Sequence, residues 1–310
     1  LNTLYPGTIT VRTIEVSLLH QEVNITDLRL LGADGKTIIR AEHAYLAIDL
    51  PALARKEVIL RTIRLVRPQC ILSIDADGSL NIETAFSEKT STEVSPFNLY
   101  IGKLTCEHGS LVFLLPDGEE LVRLKDLQLA MDAAFTNDIL IHLKAPSTEL
   151  TLTVAGKSID FGTSSVAGTI NNDRIEKILI ASKKASSRVT LSGSVVDLAK
   201  KGQLHWALDL DADLADFRKD LGLAGTSDGR IAGRITAQGD YDNPDLACAL
   251  DYGGGSLNGP AIGKARLKGS MSDRVFTCDE VLAHTAGGTI TAKGTVDLRQ
   301  VYPDGYFEGI

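Results

Sequence analysis

Apolar and polar residues alternate with a period of two through most of the chain, the pattern of strands with one covered and one wet face. Leu204, Trp206, Leu208, Leu210 and Ala212 alternate with His205, Ala207, Asp209, Asp211 and Asp213. Val189, Leu191, Gly193 and Val195 alternate with Thr190, Ser192 and Ser194. Ile290, Ala292, Gly294, Val296 and Leu298 do so with Thr289, Thr291, Lys293, Thr295 and Asp297, and the runs from Ile139 to Lys144 and from Leu150 to Val154 follow suit. Turn signals such as Ala33-Asp34-Gly35, Ala76-Asp77-Gly78, Pro116-Asp117-Gly118, Asp242-Asn243-Pro244 and Gly253-Gly254-Gly255 punctuate these runs. Two segments predict helices: residues 50–56, and Asp213 to Leu221, which opens on an Asp cap and stops at Gly222. Two short helices cannot cover the apolar faces of about eighteen strands spaced in this way. The sheet must close, fold over, or be covered by something that is not protein.

Three sections are expected: residues 1–86, a middle section 96–224 with a helix near 213–221, and a glycine-punctuated section 225–310. The polar, aperiodic residues 86–95 (FSEKTSTEVS) are the best linker, and residues 159–172 form a second irregular stretch. The strand pattern continues across both breaks, so the sections are not independent domains.

Composition narrows the function classes. The 310 residues are 44% hydrophobic and 23% charged, with a net charge of −8, a mean hydropathy of +0.05 and a pI near 5.3. The chain can bury a core, and the acidic balance argues against a nucleic-acid partner, which needs a concentrated basic face. No run approaches the ~18 consecutive apolar residues of a spanning helix. The chain starts on Leu1 rather than Met, from which an upstream signal or anchor is expected. Aromatics are only 5%, so the apolar content is aliphatic.

Chemistry-bearing motifs are weak. Gly225-Thr226-Ser227-Asp228-Gly229 matches GxSxG, but a helix precedes it and a strand follows, the reverse of a nucleophile elbow. Asp75-Ala76-Asp77-Gly78 starts like a calcium loop, yet its Gly comes two positions early and Phe86 stands where the closing Glu belongs. Asp209, Asp211 and Asp213 share one side of a strand, which reads as a solvated face before a cation site. The six His are scattered, and Cys70, Cys106, Cys248 and Cys278 form no CxxC pair. The cysteines read as small strand residues; a single disulfide, if any, would join Cys70 to Cys106. No enzyme, cofactor or metal is expected.

The run EHAYLAIDLPALARKEVILRTIRLVRPQCILSIDADGSLNI (residues 42–82) resembles the N-terminal signature of AsmA-like and TamB-like proteins. A strand enters Ile48-Asp49-Leu50, a short helix follows, and then come Leu60, Ile63, Leu65, Pro68 and a strand ending in Asp77-Gly78-Ser79-Leu80-Asn81-Ile82. Residues 101–114 resemble the next unit of that family. GRIAGRITAQGDYDNPDLACAL (229–250) and GGTITAKGTVDL (287–298) resemble TamB repeats. The resemblance implies an all-β, elongated, mostly antiparallel β-groove of repeated short sheets, taco-like, with an aliphatic concave face and two short helices. It also implies a Gram-negative periplasmic protein anchored in the inner membrane by a helix this chain lacks, and lipid transport to the outer membrane. An outer-membrane β-barrel partner of the TamA kind belongs to the same expectation.

Both lines lead to an aliphatic groove that acyl chains can cover, and the resemblance implies the function: a segment of a conduit that carries phospholipid, supporting outer-membrane biogenesis. The expected lining is Val189, Leu191, Val195, Leu204, Trp206, Leu208, Leu210, Ile231, Ile235, Leu246, Leu250, Ile290, Val296 and Leu298. The alternative is a docking or structural module for outer-membrane protein assembly or autotransporter secretion, binding by strand addition. A sugar-binding sandwich is disfavoured by the lack of aromatic platforms.

Overall fold

A computed structural model describes residues 6–74, 79–86, 98–135, 139–154, 156–171, 174–196, 202–223, 225–240 and 243–300. Contacts cluster into two compact units, residues 1–156 with 169–172, and residues 157–168 with 173–309. The boundaries between these units fall beside and within the stretch 159–172; most of the linker 86–95 lies outside the described residues, as does Asp75-Ala76-Asp77-Gly78.

The first unit contains β1 (Thr8–Thr10), β2 (Thr13–Ser17), β3 (Glu22–Leu31), β4 (Thr37–Ile48), β5 (Glu57–Val66), β6 (Gln69–Ser73), β7 (Asn98–Leu114), β8 (Glu120–Phe135) and β9 (Ile139–Val154). β1 and β2 both pair with β3, β3 with β4, and β4 with β5 and β6, all antiparallel. β5 and β6 then lie parallel to β7, after which β7–β8 and β8–β9 are antiparallel again. Helix α1 (Leu50–Leu53) is capped by the Asp49 carboxylate, which accepts from the Ala52 N–H.

A further helix, α2 (Asn81–Phe86), was not expected from the sequence pattern. Its Ala85 is fully buried with Leu30 and Ile38, and Ile9, Ile39, Leu72 and Ile82 pack around them. With six residues it shows too little periodicity to be recognised; tertiary packing rather than propensity stabilises it.

The second unit contains most of β10 (Lys157–Asn171), then β11 (Arg174–Lys184), β12 (Ser187–Val196), β13 (Gln203–Asp213), β14 (Arg230–Asp240), β15 (Asp245–Tyr252), β16 (Gly255–Ser256), β17 (Ala261–Ser272), β18 (Val275–Thr285) and β19 (Gly288–Asp297). From β11 to β15 each strand pairs antiparallel with the next, β15 and β16 both pair with β17, and β17–β18–β19 complete the meander. The architecture is all-β and mostly antiparallel, as expected. One correction concerns 159–172, which lies almost wholly within strand β10. Its Gly, Ser and Thr side chains hide the period, and buried Ser164 bonds Ser182 at 2.7 Å.

Helix α3 (Leu214–Leu221) is where the second unit is pinned by polar chemistry. Asp213 caps it by accepting from Ala215 N–H, and Gly222 closes it at φ 66°, the left-handed conformation a glycine adopts without strain. Leu214 and Phe217 are buried, with the Phe217 ring 5.8 Å from that of Phe161. Lys184 Nζ stands 4.9 Å above the Phe217 ring and 2.5 Å from Asp220. Asp216 accepts from the Ser186 N–H and hydroxyl at 3.1 Å and from the Ser187 hydroxyl at 2.7 Å. Ser187 Oγ in turn accepts from the Asp213 N–H at 2.8 Å.

The Ser187 hydroxyl, then the Ser186 donors, hold the Asp216 carboxyl below its ordinary 3.8. A folded-state value below the unfolded one adds stability above pH 3.8 that is lost as pH falls through the lowered value. Asp216→Asn should therefore cost about 1–2 kcal/mol near neutrality. In urea titrations followed by circular dichroism, the gap to the parent should narrow as pH drops below about 4. A gap independent of pH would show that the charge is not what holds α3.

Candidate functional site

Directly opposed residues of an antiparallel ladder share a face, so the registers place side chains without ambiguity. One row of the second unit runs Val189, Leu210, Gly233, Leu250, Leu267, Val281, Ala292 across seven strands. The next runs Leu191, Leu208, Ile235, Cys248, Gly269, Cys278, Gly294, and a third Gly193, Trp206, Ala237, Leu246, Met271, Phe276, Val296. Val195 and Leu204 oppose each other at one end, and Ile231, Tyr252, Ala265, Ala283 and Ile290 form a row at the other. Thirteen of the fourteen expected lining residues thus share one face. Leu298 follows the end of β19, where its N–H bonds the Arg274 carbonyl.

This face is open. Val189, Val195 and Leu204 are buried, whereas Leu191, Trp206, Leu208, Leu210, Ile231, Ile235, Leu246 and Leu250 are half-buried, as is Leu298. Ile290 and Val296 are 55% and 53% exposed. None of the fourteen lines a recess of about 470 Å³ in this unit, which lies among Arg230, Asp251, Lys264, Arg266 and His284. The opposite face is charged: Asp209 meets Arg234 at 3.5 Å, Asp251 meets Arg266 at 2.7 Å, Glu280 meets Lys268 at 3.8 Å, and Asp211 pairs with Arg230. Asp209 and Asp211 are thereby matched to guanidinium groups of the neighbouring strand, while Asp213 caps α3.

Lining residues that sequence reasoning missed are Leu267, Met271, Phe276 and Val281. Leu267 and Met271 alternate plainly with Arg266, Lys268 and Ser270 and were legible. Phe276 and Val281 were not, because β18 carries a bulge between Cys278 and Val281 that shifts the parity midway along the strand.

The first unit carries a similar face. Val16, Val23, Leu46, Ile63, Leu104, Met131 and Leu143 stand in one row across seven strands, and Ile14, Ile25, Ala44, Leu65, Cys106 and Leu129 in the next. Here too the edge is bare: Ile14 is 55% and Val16 61% exposed.

The other sequence candidates resolve differently. Ser227 has no exposed surface; its hydroxyl donates to Asn258 Oδ1 at 3.3 Å and accepts from the Asn258 N–H at 3.0 Å. All four cysteines are free thiols, including Cys70 and Cys106. Burial pushes the thiols of both up to about 11. The Cys106 thiol donates to the Leu127 carbonyl at 3.4 Å.

Trp206 lies against Gly193, and its indole nitrogen is buried without a hydrogen-bond partner. A Cβ at Gly193 would overlap the His205 carbonyl and come within 2.9 Å of the Trp206 ring. Gly193→Ala should cost about 1–3 kcal/mol by overpacking and shift Trp206 emission; an unchanged melting temperature and spectrum would show that the ring does not depend on this approach.

No protein-family model, curated protein or solved structure matches this chain.

Proposed function

We propose that the chain is a segment of a lipid-transfer protein of the AsmA-like and TamB-like kind, its aliphatic sheet face carrying phospholipid acyl chains. The observation that supports this is the half-exposed row structure from Val189 to Val296, aliphatic on one side and ion-paired on the other. Open contiguous apolar surface of this sort marks an interaction site or ligand groove in soluble proteins. An acyl chain laid on it removes apolar area from water at about 25 cal/mol per Å², while its headgroup stays hydrated. Leu, Ile, Val and Ala make up most of this track, which the rings of Trp206, Tyr252 and Phe276 interrupt at three points. The periplasm, an inner-membrane anchor and an outer-membrane barrel partner belong to this proposal through the sequence resemblance.

A second reading, a docking module that binds by strand addition, is favoured by one observation: every residue of β19 is exposed.

Lipid extraction of the purified protein separates the two. The parent chain should carry phospholipid. Leu208→Asp and Ile290→Asp should fold, because a carboxylate on a half-exposed face stays partly hydrated, and should lose that lipid, since binding would now desolvate the charge at a cost of several kcal/mol. Folded variants that keep their lipid would refute the track. Loss of folding at both positions, as burial of an unpaired charge costing more than ~4 kcal/mol would produce, would mean that the face is closed. A parent chain free of lipid would favour docking.

A further inference from the structure

Two sheet edges carry unpaired backbone, and their side chains are complementary. Among the described residues β19 is bonded along one side only, to β18, and all ten of its residues are exposed. β2 is likewise bonded to β3 alone, with Thr13 to Val16 exposed. Each edge has one charged residue within its central alternation, Lys293 on β19 and Glu15 on β2, and among the described residues no ion pair engages either. An edge lysine guards a strand against a copy of itself, because antiparallel β19-to-β19 pairing about residue 293, a register that keeps the apolar face together, would set Lys293 against Lys293. It does not guard against an edge that offers a carboxylate.

We propose that β19 of one molecule pairs antiparallel with β2 of a second copy, with Lys293 opposite Glu15. The same register sets Thr13 opposite Thr295 and Ser17 opposite Thr291 on the polar face. It sets Val16 beside Ala292 and Ile14 beside Gly294 on the apolar face, with exposed Leu18 against Ile290. Pairing at any register one residue away would turn Ile14 and Val16 to the charged side. The contact is heterologous, so a pair of copies retains one free edge of each kind. It joins the apolar row that ends on Val16 to the row that ends on Ala292, and it requires no lipid.

Sedimentation velocity of the lipid-stripped chain over a range of concentrations tests this, with the fold monitored by circular dichroism. The expected result is weak, salt-sensitive, concentration-dependent association. Glu15→Lys or Lys293→Glu alone should weaken it by about tenfold or more, and the two changes together should restore it to within about threefold. A peptide of residues 11–19 should compete with the contact, a measurement that does not depend on the variants folding. A monomer at every concentration, single charge reversals without effect, or a double variant no better than the singles would each overturn the proposal. An assembly weakened by Lys293→Glu but indifferent to Glu15→Lys would assign β19 to another partner and overturn it equally. Lipid loading has no bearing on any of these outcomes, so this proposal and the lipid track stand or fall separately.

Discussion

A pleated sheet has two faces, and the described residues supply only three short helices to cover them. That constraint governs both units. Side chains of alternating parity leave an aliphatic face across seven strands in each, and α2 and α3 are too short to lie over it. Most apolar residues on those faces accordingly settle at partial burial, shielded by their row neighbours along and across the strands rather than by a second layer. Stability is then collected strand by strand from ladder hydrogen bonds and cross-strand contacts, a different distribution from that of a sandwich with a closed core.

Burial is close where two of the helices meet the sheet, although strand residues such as Ala44, Val195 and Leu204 are buried as well. Ile38, Leu30 and Ala85 close around α2, and Leu214 and Phe217 seat α3. At α3 the packing is joined by polar contacts. The Asp213–Ser187–Asp216 relay uses one buried hydroxyl to satisfy both a helix-terminal N–H and a carboxylate, so α3 is tied to β12 without leaving a buried donor unmet. The charged face needs no such closure: its ion pairs are largely exposed and serve register more than stability, since wrong registers would set like charges opposite one another.

Much of this was legible because period two is a strong signal wherever strands are regular. Thirteen lining residues were placed from alternation alone, and the Asp213 cap with its Gly222 stop was readable from two residue types at the right separation. What was not legible came from three physical causes. The bulge in β18 breaks parity, so Phe276 and Val281 cannot both be read from one phase. In β10 small polar side chains fill the apolar parity, and Ser164 with Ser182 replaces a hydrophobic contact by a hydroxyl pair. Helix α2 rests on the fit of Ala85 against Leu30 and Ile38, a long-range contact invisible in six residues of sequence. The division between the units was marked only by the texture of 159–172, which reads as an irregular stretch although residues 159–171 are strand.

An unlayered sheet also cannot hide its edges, and here the face and the edge become one problem. Ile14, Val16, Ile290 and Val296 are the most exposed members of their rows because each stands on a strand with a neighbour on one side only. Adding a strand to such an edge would satisfy its free backbone groups and shield the two side chains it carries at once, whereas covering the face with an apolar ligand would leave the backbone groups in water. The two demands are therefore distinct, and a chain built this way has a separate physical reason for each kind of partner: an apolar one for its face and an extended polypeptide for its edges.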